Sequence, residues 1–175
     1  MGAVQQDWKW SDRFMPEVKA ILGRYLLTTA PLSVDRHEAC DIIAQNLSIA
    51  VRIRRQAYRQ YQTQFTLRSS RDSGSKAELE KIVEGHGDFL FYAFESAERP
   101  GTLETWHLIS LPAFRAHLIR RAEIRSGVRS NGDGTSFRWF DLKSFPADPQ
   151  IVIASNHPDL IQIQKGMSND KNACA

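Results

Sequence analysis

The sequence predicts a mixed α/β fold, a central mixed sheet flanked by helices, and three patterns in the chain point there. Residues 47–54 alternate apolar and polar side chains with the period of two that marks a half-buried strand. Phe14, Val18, Ile21, Leu22, Tyr25 and Leu26 recur at the spacing of one apolar helix face. Residues 88–95 (DFLFYAFE) form a strongly apolar and aromatic segment, as expected of a strand at the centre of a sheet.

The elements follow in order. The first helix, about twelve residues ending near Leu27, has Ser11 or Asp12 to cap it, and Pro16 fits its first turn. The break at 28–31 leads to a short apolar strand at 39–44, interrupted by Asp41. With Gln45-Asn46 as the turn, that strand and 47–54 are expected to form a β-hairpin, with Leu47, Ile49, Val51 and Ile53 towards the core. Residues 64–68 read as a third strand, with Phe65 and Leu67 on one side. After a polar loop at 71–75, a short helix from Lys76 to about Glu84 carries Leu79, Ile82 and Val83 as its buried stripe. Ser75 with Glu78 forms a capping box at its start, and Gly85-His86-Gly87 ends it. A turn at 98–101 precedes a strand at 105–110. Pro112 then opens a helix with Phe114 and Leu118 inward and Arg115, Arg120 and Arg121 outward. Asn131-Gly132-Asp133-Gly134 is a turn before a strand at 137–142, and 151–154 adds a last strand. Residues 1–165 are expected to form a single domain, and 166–175 a loose polar tail.

Composition narrows the function classes. A chain of 175 residues with 42% hydrophobic and 25% charged residues has what a globular core needs. There is no apolar run of the roughly 18 residues that a bilayer span needs. The N-terminal residues lack a signal-peptide pattern, and Gln6 spoils a myristoylation signal, so the expectation is a cytoplasmic protein with no membrane partner. Cys40, in an apolar run, and Cys174, in the polar tail, make neither a disulfide framework nor a metal pair.

The net charge of +3 is modest, but its distribution is uneven. Residues 52–71 hold six arginines and no acid, and 115–129 hold five arginines against the single Glu123. Arginine suits bidentate contacts to phosphate and stacking on bases. Arg52, Arg54, Arg55, Arg59, Arg68 and Arg71 are therefore candidate nucleic-acid contacts, and a solvated basic face is the plain alternative. Tyr58, Tyr61 and Phe65 among them fit either base stacking or core packing. Trp8 and Trp10 read as anchors of the N-terminal arm. The chain has no phosphate-binding loop, dinucleotide fingerprint, HExxH or GxSxG motif, and His37, His86, His107, His117 and His157 show no ligand spacing.

The helix–strand–strand–strand–helix–strand order of residues 14–95, with Asp41 on one strand and Ala50, Arg52 and Arg54 on one face of the next, resembles the core of the PD-(D/E)XK (restriction-endonuclease-like) superfamily. In that superfamily a strand Asp and a Glu-x-Lys on the following strand share a metal-binding face. Asp41 matches the acidic position, whereas Ala50 stands in place of the Glu and Arg52 in place of the Lys. The resemblance implies that Asp41 and Arg52 lie on adjacent strands, on one face, beside the helix of residues 16–27. It also implies that a second carboxylate, Glu78 or Glu17, completes a catalytic set of Asp41, Arg52, Glu17 and Glu78. Asp41 and Glu78 would then hold Mg²⁺, which lowers the pKa of an attacking water. The structural alternatives are an ion pair for Asp41, the capping box for Glu78 and a solvent-facing helix position for Glu17. Segments such as QFTLRSSRDSGSKAELEKIVEGHGDFLFYAF and FRAHLIRR are also similar to uncharacterised phage and prophage proteins.

Two function classes follow. One is a nucleic-acid-binding protein, DNA ahead of RNA, with a nuclease-like core and metal-dependent phosphodiester hydrolysis. The other is a non-catalytic interaction protein or inhibitor from a phage or mobile element, which sets its arginine-rich face against an acidic protein surface.

Overall fold

The run at 88–95 becomes strand β5 (Phe89–Glu95), and the rest of the fold is arranged on its two faces. The computed structural model describes residues 10–29, 42–44, 46–70 and 76–161. Asp41, Arg71, Cys40, Gln45, Ser75, Trp8, the loop at 71–75, the tail from 166 and the part of the expected strand at 39–41 lie outside them.

In chain order the elements are α1 (Met15–Leu26), β1 (Leu27–Thr29), β2 (Ile42–Ala44), β3 (Ile49–Arg54), a 3-10 segment (Gln56–Tyr61), β4 (Gln64–Ser70), α2 (Glu78–Val83), β5, β6 (Leu103–Ser110), α3 (Leu111–Ile119), β7 (Ser126–Ser130), β8 (Ser136–Asp141), a 3-10 turn (Leu142–Ser144) and β9 (Val152–Ser155). A four-stranded mixed sheet runs β3-β5-β6-β9, with β3 parallel to β5 and the other pairs antiparallel. A three-stranded antiparallel sheet runs β4-β8-β7, and β1 and β2 form an antiparallel pair. The mixed α/β class and the helix-flanked mixed sheet are thus present.

Successive side chains of a strand point to opposite faces, so β5 feeds two cores. Phe91 and Ala93 meet Phe14, Val18 and Leu22 of α1, together with Leu108 and Ala154. Leu90, Tyr92 and Phe94 meet Phe65 and Leu67 of β4, Phe140 of β8, Ile82 of α2 and Phe114 of α3. Aromatic packing joins the second core. Phe65 stacks on Phe140 at 5.1 Å, and Phe114 stands edge-on to Phe140 at 5.0 Å. The apolar run of β5 is continuous because both of its faces are covered. No helix among the described residues is long and apolar enough to cross a membrane.

Several expectations need correction. The hairpin between residues 39–44 and 47–54 does not form: β2 pairs with β1, and β3 pairs with β5, Arg52 opposite Tyr92. Alternation fixes which face of a strand is buried, not which strand lies beside it. The face itself is right, since Ile49, Val51 and Ile53 pack towards α1. Helix α1 is capped by neither Ser11 nor Asp12. Its N-cap is Phe14, whose backbone N–H bonds the Ser11 carbonyl at 3.1 Å, and Pro16 sits in the first turn. Tyr25 lies at the exposed margin of the helix, edge-on to Trp106. In α2 the N-cap is Ala77, which puts Glu78 at the first helical position rather than at the third, where a capping box needs it. Val83 is 55% exposed, leaving Ile82 and Leu79 to face the core. Arg115 turns back instead of outward, donating to the carbonyls of Ile82, His86 and Gly87 at the end of α2. Gly85 and Gly87, at φ of 106° and 77°, supply the left-handed turns that end that helix.

Candidate nucleic-acid interface

Strand β3 is an edge of the mixed sheet, and β4 is an edge of the antiparallel sheet. Between them runs a groove whose walls the alternation of each strand supplies. Because Arg52 and Arg54 share a face with Tyr92 and Phe94, they point into the groove while Val51 and Ile53 face α1. Arg68 enters from β4, and Arg129 enters from β7 across the far sheet. Thr66, Tyr58, Phe137, Ser130 and Asn131 complete the lining.

Arg52 bridges the two sheets. Its Nη1 donates to the Thr66 carbonyl at 3.0 Å, and its Nη2 forms an ion pair with Glu78. The same Glu78 oxygen accepts the Arg68 backbone N–H at 3.1 Å. The carboxylate therefore fastens α2 to the β3–β4 junction. Charge-assisted bonds to a half-buried guanidinium stabilise more than a surface pair does. Glu78→Gln is expected to lower stability by about 1–2 kcal/mol, because it leaves Arg52 half-buried with its charge uncompensated. The same change makes the groove more positive, so polyanion affinity should rise. Thermal melting combined with an oligonucleotide titration checks both, and a loss of affinity with unchanged melting would contradict this bracing role.

The other sites fall as follows. Arg54 lies over the Tyr58 ring at 4.1 Å, which holds both at the groove mouth. Arg55 points the other way and covers the Trp10 ring at 4.7 Å, tying Trp10 to the end of β3. Arg59 is exposed on the 3-10 segment. Glu17 lies on α1, across the mixed sheet from Glu78, and its Oε2 accepts the Leu103 backbone N–H at 3.0 Å. Glu17 and Glu78 therefore occupy opposite faces and do not form one carboxylate pair. Asp41 and Arg71 lie outside the described residues. Among the described residues no group of three or more His, Cys, Asp or Glu is placed to hold a metal ion.

Beneath the groove, and sharing Arg54, Tyr58, Thr66, Arg129 and Phe137 with it, lies an aromatic cavity of about 210 Å³. Tyr61, Tyr92, Phe94 and Trp139 deepen it. Burial raises the Tyr92 phenol above its ordinary pKa, although Arg54, Thr66 and Arg52 pull the other way, so it stays protonated and bonded to Thr66 Oγ1 at 3.0 Å. At the rim, Asp133 is fully exposed. Its carboxyl is held below the ordinary range chiefly by hydrogen bonds from Thr135, with a smaller contribution from Arg68.

Arg129 and Trp139 are among the site residues that sequence reasoning missed. Arg129 belongs to the second basic block, but the strand that aims it, β7, was not expected. The signal was present in part: a Gly-rich turn at 131–134 preceding a strand is a hairpin mark, and β7 pairs with β8 across it. The rest of that block does not reach the groove lining. Arg125, for example, pairs with Asp141 at 3.2 Å. No family model matches the chain, and no curated protein or solved structure matches it either.

Proposed function

We propose that the protein binds nucleic acid along the groove between β3 and the β4-β8-β7 sheet. The observation that carries this reading is the convergence of Arg54, Arg68 and Arg129 from three separate strands on one groove. Among the described residues none of the three has a carboxylate ion-pair partner. Guanidinium groups gathered without ion-pair partners among the described residues repel one another, a cost that a row of phosphates lowers. The aromatic side chains beside them give the groove a second contact type, one that a merely solvated basic face does not need.

Metal-dependent hydrolysis belongs to this reading only through Asp41, since Glu78 is engaged with Arg52 and Glu17 lies across the sheet. Were Asp41 to hold Mg²⁺ or Mn²⁺, Asp41→Asn would stop cleavage and leave binding intact.

The test is an anisotropy titration of purified protein with labelled DNA and RNA strands over a range of salt concentrations, with gel analysis after addition of Mg²⁺ or Mn²⁺. Binding that weakens steeply with salt is expected. No binding at low salt would overturn the reading. Displacement by an acidic polypeptide at the concentration where an equally charged oligonucleotide displaces would favour an acidic protein partner instead.

A further inference from the structure

We infer that the aromatic cavity beneath the groove is a stacking pocket for an unpaired base, so that the groove takes single strands in preference to duplex. This inference rests on the groove reading above and adds to it the form of nucleic acid recognised. The cavity combines two kinds of contact. Arg54 and Arg129 line both it and the groove, whereas the aromatic Tyr61, Phe94 and Trp139 line the cavity alone. A nucleotide has the same division, an anionic phosphate joined to a flat apolar ring. In a duplex both faces of each ring are already stacked, while an unpaired base has faces to offer to aromatic side chains.

The wall of the pocket depends on a glycine. Gly127 of β7 stands opposite Trp139 of β8. A Cβ at Gly127 would come within 2.7 Å of Trp139 Nε1 and 2.9 Å of Cε2, too close for the indole to remain where it is. With no side chain there, the indole packs directly over the Gly127 backbone and keeps its place in the cavity lining. Gly127 is thus a positioning residue, and its place in the edge strand of the antiparallel sheet is explained by what it allows its neighbour to do.

The experiment compares a short labelled oligothymidylate, an abasic strand of the same length and charge, and a duplex, each titrated with the full chain. The oligothymidylate is expected to bind about tenfold more tightly than the abasic strand, the gain from stacking about one base. Tyr61→Leu, at a half-buried position that lines the cavity and not the groove, and Gly127→Ala should each bring oligothymidylate binding down towards the abasic value and leave abasic binding unchanged. Using both keeps the test valid if one variant fails to fold. Equal affinity for oligothymidylate and abasic strand, or tighter binding of duplex, would overturn the pocket while leaving the groove reading standing. Binding of neither strand would overturn both.

Discussion

Replacing Arg68 and Arg129 together by alanine is expected to weaken binding of a single strand by about a hundredfold at low salt, roughly tenfold for each guanidinium removed from a phosphate. The slope of log affinity against log salt should become shallower by about 1.4, from about 0.7 per phosphate on a single strand. These two are chosen over Arg52 because of what each holds in the folded chain. Arg52 is an anchor between sheets, bonded to Thr66 and paired with Glu78, so its removal would confound binding with stability. Arg68 and Arg129 have no ion-pair partner among the described residues, and Arg129 is exposed on an edge strand. Their loss should move the melting temperature little. Anisotropy titrations at several salt concentrations, with thermal melting as the control, read the result. An unchanged salt slope would show that phosphate is bound elsewhere.

How far the site could be read from the sequence follows from which forces are local. The faces of β3 and β4 were legible, because a period of two sets them without reference to any neighbour, and so Arg52 and Arg54 could be assigned to one face of β3 and Arg68 to the face of β4 opposite Phe65 and Leu67. The partner of each strand was not legible. The same alternation serves a hairpin with residues 39–44 and a parallel pair with β5, and only the second lets Phe91 and Ala93 share α1 with Val51 and Ile53. Glu78 shows the same limit in one side chain. Three positions after Ser75 it reads as a capping residue, and beside Asp41 it reads as a metal ligand. The fold brings it to Arg52, 26 positions away, a pairing that no local pattern encodes. Trp139 and Gly127 are explained by a cross-strand contact, which becomes visible only once β7 is paired with β8.

Acidification is expected to destabilise the fold by about 2 kcal/mol between pH 7 and pH 5, and by about 3 kcal/mol at pH 4, through one buried imidazole. His107 of β6 is fully buried. Its Nε2 donates to the Gln62 carbonyl at 2.6 Å, which leaves Nδ1 to accept the Ser155 hydroxyl at 3.0 Å. Burial, with a smaller push from His157 and against the Gln62 carbonyl, holds its pKa down at about 4 instead of 6.5. A histidine whose folded pKa lies below its unfolded value binds more protons unfolded. Its contribution is therefore complete above about pH 6.5 and is lost as the pH falls from there towards 4. His157, lowered mainly by burial, acts in the same direction. The consequence reaches the site, because Gln62 follows the 3-10 segment that carries Tyr58 and Tyr61 into the cavity wall. Charging His107 should loosen that wall before the cores give way. His107→Gln keeps a donor for the Gln62 carbonyl but cannot titrate. The variant is expected to be less stable at pH 7 and to show a flatter dependence of unfolding free energy between pH 7 and pH 5. Urea unfolding of both proteins across that range measures the difference, and parallel curves would mean that another group carries the acid sensitivity.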